Sequence, residues 1–182
     1  MPYVIAIAVV VIIVIWLIST QRRLAAMDEN VNNAMSQIGV QLQSRFDALT
    51  SLLELTKGYD AHESETLAEV VRARRSVITG TSSAGDVDAQ ENLITEAMGK
   101  INAIAEQYPD LKANTNYNKT IDSVNSYEQS VRASRLIYND SVTKLNRSLR
   151  MFPTSLVGGM FGFKPREYLA ADQSKADMPS MK

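Results

Sequence analysis

The chain offers one side chain of the kind that most often ligates a metal or moves a proton near neutral pH. His62 stands in Asp60-Ala61-His62-Glu63-Ser64-Glu65, with Glu69 one heptad on. On one helix face, His62, Glu65 and Glu69 would present a nitrogen and two carboxylates to a cation. Helical di-iron centres, however, need Glu-x-x-His on each of two helices, and a single His cannot supply that. With no Cys there is no thiolate metal site, disulfide or thiol nucleophile. Asp60 and Glu63 are spaced as in a capping box, and carboxylates are favoured in a first helical turn. The capped helix start is the reading adopted, so no metal and no other cofactor is expected.

Glu128 and Arg135 lie seven residues apart beside an apolar helix face. A catalytic carboxylate wants a second tuned group in a shared cleft, and the sequence offers no partner. The spacing predicts interhelical polar contacts that fix register. Tyr127 and Tyr138 join them as the lining expected if the bundle core held a small ligand. Arg72, Arg74 and Arg75 form a basic cluster that would suit anionic lipid or simply end a helix whose start is acidic. Asn118, Asn139 and Asn146 each begin a glycosylation sequon, but all fall within one helical pattern. Nineteen Lys and Arg against 20 Asp and Glu leave a net charge of −1, which argues against nucleic acid as a partner.

The elements that must carry these residues begin with an apolar leader. Residues 1–18 contain one residue outside the hydrophobic set, Pro2, and eleven of the fifteen from Val4 to Ile18 are Val or Ile. Pro2–Ser19 spans roughly 27 Å as a helix, close to a bilayer core of ~30 Å. Trp16 and Tyr3 sit near its ends, where amphipathic rings favour the interface. No Lys or Arg precedes the run, while Arg22 and Arg23 follow it, so it reads as an uncleaved anchor rather than a signal peptide. The positive-inside rule then puts the N-terminus outside and the following domain in the cytoplasm.

Beyond residue 20, the intervals 21–108 and 110–152 are free of proline, as long helices require. Leu24, Met27, Val31, Met35, Ile38, Leu42, Phe46, Leu49 and Leu53 follow spacings of 3, 4, 4, 3, 4, 4, 3 and 4. This eleven-residue rhythm predicts a long, nearly straight helix continuous with the anchor, and its first seven members a self-association seam of coiled-coil type. Gly58 breaks the pattern, and a second helix is expected over 60–79. After a loop at 80–86, Asp86 or Asp88 is expected to cap a third helix with Leu93, Ala97, Ile101, Ile104 and Tyr108 on its buried face. A turn at Tyr108–Leu111 leads to a fourth helix of about 35 residues bearing Val124, Tyr127, Val131, Ser134, Tyr138, Val142, Leu145 and Leu149. The expected fold is all-α: a transmembrane helix (1–20) and an antiparallel up-and-down bundle (21–150) of four helices, or three if 21–79 is one rod. Residues 151–169 form an apolar segment interrupted by Gly and Pro. Its Phe152, Pro153, Leu156, Phe161, Gly162 and Phe163 either cover an end of the bundle or dock a partner, with four helices returning it towards Leu24 and the membrane. Residues 170–182 read as a disordered tail.

Several stretches together resemble the LemA family. Val31-Asn32-Asn33-Ala34-Met35-Ser36-Gln37-Ile38-Gly39-Val40-Gln41-Leu42 is similar to its opening, following an anchor that ends in Trp16. Lys57–Glu63 and Ala105–Asn114 are similar to its central motifs. Arg135–Asp140, Phe152–Val157 and Phe161–Phe163 resemble its C-terminal signature. Ser155 stands where the family often has Asn, and Thr50 where it has Pro, so this helix is expected to be straighter than the family norm. The resemblance implies a bacterial inner-membrane protein with a helical domain and no established enzymatic activity. It also implies a connection with membrane proteases or envelope-stress proteins. The expected role is a membrane-anchored scaffold or adaptor that associates with itself, with membrane lipid and with envelope proteins. A membrane-shaping oligomer and a ligand- or metal-binding bundle are the alternatives.

Overall fold

The computed structural model describes residues 2–57 and 77–170. Among these, α1 spans Pro2–Thr56, α2 Ala84–Gln107, α3 Pro109–Ala113, α4 Thr115–Arg150 and α5 Thr154–Met160, with no strand. The protein is all-α. The anchor passes into the first core helix without a break, because nothing between Ile18 and Leu24 removes a main-chain donor or frees the backbone. Most of the expected second helix, and with it His62, Glu65, Glu69 and the Arg72 cluster, lies outside the described residues. Its last three expected positions, Val77, Ile78 and Thr79, are not helical. The tail beyond Ala170 also lies outside them.

The chain divides into two compact units. The second comprises residues 34–136, whose core is Met35, Ile38, Leu42, Phe46, Leu49 and Leu52 of α1, Ile94, Ile101 and Ile104 of α2, Leu111 of α3, and Val124 and Val131 of α4. Each such side chain contributes about 1.5–3 kcal/mol by leaving water. Gly39 marks a close approach: a Cβ there would stand 2.3 Å from the carbonyl oxygen of Ile78.

The start of α2 corrects the expectation. Ser83, not Asp86 or Asp88, is the N-cap; its Oγ accepts the Asp86 N–H, and the Asp86 carboxylate accepts the Ser83 N–H at 2.9 Å. These contacts hold the Asp86 carboxyl below its usual range. The buried face of α2 uses Ile94 rather than Leu93, which is half-buried, as is Tyr108. The expected turn at Tyr108–Leu111 is the one-turn helix α3, with Pro109 at its first position, where a missing N–H costs nothing. Asn114 then begins α4, its Oδ1 accepting the N–H groups of Asn116 and Tyr117.

The first unit comprises residues 1–33 and 137–182. Leu24, Val31, Tyr138, Val142, Leu145, Val157 and Leu169 are its buried apolar residues. α5 is closed by Gly162, two residues past its end, whose φ of 75° suits glycine; the Phe163 N–H reaches back to the Gly158 carbonyl and the Gly162 N–H to Gly159, a Schellman closure.

Candidate functional site

Two constellations hold the chemistry-bearing side chains, one in each unit. In the second unit Arg45 lies on the flank of the buried face of α1, 7% exposed. Its guanidinium donates to Glu128 Oε2 at 2.9 Å, and Glu128 Oε1 accepts from Arg132 at 2.6 Å. Arg135 bonds Glu91 and reaches Asp88 at 3.4 Å. Burial pushes the Arg45 pKa down, and the Glu128 and Glu91 carboxylates oppose that shift. Arginine so placed stays charged, because its ordinary value leaves ample margin. The Arg45 Nε–H is buried and makes no hydrogen bond within the described residues.

Glu128 and Arg135 thus make interhelical contacts, to α1 and α2 respectively, as their spacing implies. Neither they nor the other residues named as possible ligand lining are presented as an open reactive set. Tyr138 belongs to the first unit, where its hydroxyl donates to the Glu167 carbonyl at 3.0 Å. Burial pushes the Tyr138 phenol up, Arg166 opposing that shift and Glu167 adding to it. Tyr127 is half-buried. Among the described residues no three acidic, His or Cys side chains are grouped to hold a metal.

In the first unit, residues 164–169 form an extended strap along α4. Asn146 donates to the Arg166 carbonyl at 2.8 Å and accepts its N–H at 2.9 Å; Asn139 pairs with Leu169 in the same way, both bonds at 3.0 Å. The Arg166 side chain bonds Asp28 at 2.9 Å and Asn32 at 3.1 Å on α1. Sequence reasoning missed Arg45, Asn139 and Asn146 as structural residues. The two asparagines figured as sequons, and Asn139 also within the Arg135–Asp140 stretch, although their heptad spacing beside the buried Tyr138, Val142 and Leu145 was visible.

The apolar candidates part company. Leu24, Val31, Met35, Ile38, Leu42 and Phe46 are buried by the chain itself, and Met27 is half-buried. The stripe therefore serves the chain's own core, and using it for self-association would require uncovering it. Of the C-terminal candidates, Phe152, Leu156, Phe161, Pro153 and Gly162 are exposed or nearly so, and Phe163 is half-buried. The segment buries Val157, Gly158 and Leu169 and leaves its other large apolar side chains exposed or half-buried. Val4–Ile18, Trp16 included, project from the fold with none of that window buried, and Arg22 and Arg23 are exposed.

The LemA family model matches residues 34–182, more than half of the chain and all of the second unit. The chain belongs to the LemA family. The match leaves the anchor outside it and takes in Gly39, Arg45, both clamping asparagines and the strap. Among individual relatives, protein LemA of Metamycoplasma hominis is 29% identical over 136 residues, covering 71% of this chain and 60% of that protein. Magnetosome proteins MamQ 1 and MamQ 2 of Paramagnetospirillum magneticum are each 23% identical over 190 aligned positions, 91% of this chain and 70% of theirs. This LemA family chain thus spans 60% of the length of the Metamycoplasma protein, less than two thirds.

Proposed function

We propose that this LemA family protein is a membrane-anchored helical scaffold or adaptor of the bacterial inner membrane, binding envelope proteins and copies of itself rather than turning over a substrate. The observation that carries the reading is α1. One unbroken helix is apolar over a bilayer's length with none of that window buried, then amphipathic, with one face buried from Leu24 onward. A scaffold also fits an interior whose charged groups answer one another, Arg45 with Glu128 and Arg135 with Glu91. Copurification from native membranes with partners identified by crosslinking is the test. A strict monomer at every concentration, with no recoverable partner, overturns it.

The single-pass orientation proposed is N-terminus out and domain in the cytoplasm, on the strength of Arg22 and Arg23. Protease added to intact cells is then expected to spare the domain, and digestion from outside would reverse the assignment. Reversing both arginines to Glu weakens the preference. A second reading, a lipid-organising oligomer, is favoured by the exposed apolar residues between Met151 and Phe161. Electron microscopy of reconstituted liposomes separates it from the first.

A further inference from the structure

Between Met151 and Phe161, five apolar side chains face solvent: Met151, Phe152, Leu156, Met160 and Phe161 are 53, 80, 60, 74 and 54% exposed. Scattered exposed apolar residues are ordinary, but five within eleven consecutive positions are dense enough to ask for a cover. Position in the unit says what. α5 buries Val157 and Gly158, and a Cβ on Gly158 would lie 3.9 Å from the Leu24 Cδ1 and 2.6 Å from the Leu149 Cδ2. α5 therefore lies against the first turns of α1 beyond the apolar run. Leu24 follows Ile18 by six residues, about 9 Å of helix. The covered face of α1 begins nearer still, at the buried Thr20. A headgroup layer is about 5–8 Å deep on each side of the hydrocarbon, and interfacial segments sink about 5–10 Å into that boundary. α5 thus meets α1 at the outer edge of the headgroup layer.

Charge agrees with depth. Residues 141–166 contain five basic side chains, Lys144, Arg147, Arg150, Lys164 and Arg166, and no acidic one. Arg166 is held by Asp28 and Lys144 by Asp140, whereas the exposed Arg147, Arg150 and Lys164 make no ion pair among the described residues. A second copy docking through this patch would bring the same cations face to face, at a cost. An anionic surface is complementary to them.

We infer that residues 151–161 lie in the headgroup layer of the leaflet from which α1 emerges, a second contact with anionic phospholipid beside the anchor. The inference rests on α1 being a membrane anchor, and the test separates the two. The chain has no Cys, so single labelled cysteines report cleanly. Phe152→Cys and Met160→Cys sit in the patch, Val10→Cys in the anchor and Asn102→Cys on the exposed side of α2. Each is reconstituted in vesicles of phosphatidylcholine mixed with phosphatidylglycerol, carrying shallow or deep lipid quenchers, with iodide outside and inside. Labels at 152 and 160 are expected to be quenched by the shallow lipid and shielded from iodide, the label at 10 by the deep lipid, and that at 102 by iodide alone. No lipid quenching at 10 overturns the anchor itself. Deep quenching at 10 with positions 152 and 160 as open to iodide as 102 leaves the anchor standing and overturns the second contact. Shielding that rises with protein-to-lipid ratio assigns the patch to a second copy and overturns it too. Replacing Arg147, Arg150 and Lys164 by Glu is expected to weaken docking by about fivefold for each cation removed, with the signal at 10 unchanged. An undiminished signal at 152 and 160 overturns the anionic-lipid assignment.

Discussion

Asn146 does for Arg166 what a neighbouring strand would do, taking its N–H and donating to its carbonyl from one planar amide. Asn139 repeats the contact at Leu169. Seven residues of α4 separate the asparagines, about 10.5 Å of helix, and three extended residues separate their partners, about 10 Å. That coincidence of pitches lets a helix, whose own main chain has no bonds to spare, hold an extended segment by side chains alone.

Replacing Asn146 by Leu leaves the Arg166 N–H and carbonyl without partners, a cost of about 1–3 kcal/mol. Hydrogen exchange reads it locally: the Arg166 and Leu169 amides are expected to lose protection while Ile101 and Ile104 keep theirs. Unchanged protection at Arg166 would show that the clamp does not hold the strap.

At Gly39 the expected effect is steric. Alanine there meets the Ile78 main-chain oxygen at 2.3 Å, and backbone cannot rotate aside as a side chain can. Thermal unfolding of Gly39→Ala is expected to show a loss of about 1–3 kcal/mol. Gly99, with nothing within 4 Å of its Cβ position, is the control: there alanine is expected to hold or raise stability.

The Arg45–Glu128 pair tests whether an interior charge stabilises or merely coexists with its partner. Glu128→Ala strands a guanidinium already short of one hydrogen bond, at about 3–5 kcal/mol if the site stays closed to water and less given that Glu128 is 28% exposed. Replacing both residues by Met is expected to cost less than Glu128→Ala alone. Denaturant titration of the two variants decides it, and equal losses would contradict the pairing.

Tyr138 gives an alkaline limit. Its folded pKa is raised, chiefly by burial, so its contribution is complete below the phenol's ordinary value of 10.0 and is lost as pH climbs through the folded one. Tyr117, also raised by burial, acts in the same direction. Chemical unfolding followed above pH ~10 is expected to show falling stability, with a shallower fall in Tyr138→Phe. A fall of identical slope in that variant would remove Tyr138 from the account.

The stripe from Leu24 to Leu53 was legible because alternating spacings of three and four permit one periodic face; eight of its nine members are buried. The choice between Leu93 and Ile94 was not, since adjacent apolar residues satisfy helical period almost equally and only packing selects one. Ser83 escaped notice because Ala84, Gly85 and Asp86 precede the first large apolar residue of α2, Val87, so the pattern appeared to begin at the aspartates. Arg45 finds its partner 83 residues away, and Asn139 and Asn146 find theirs 30 and 20 residues on. Local spacing places such residues beside a buried face but does not name a partner so far along the chain. The C-terminal segment was legible in composition only: apolar residues announced burial or docking, and the fold buries Val157 and Leu169 while leaving Phe152, Leu156 and Phe161 exposed.

Because α1 has no break between its apolar run and Asp28, the anchor cannot turn about its long axis without carrying Asp28 and Asn32 with it. Those two are gripped by Arg166, which Asn146 fixes to α4. A slip of one residue would swing them through about 100° and out of reach. The compass heading of the anchor is therefore set outside the bilayer: which of its Val and Ile side chains would greet a neighbouring helix, and which only lipid, is dictated by an asparagine more than a hundred residues further along the chain.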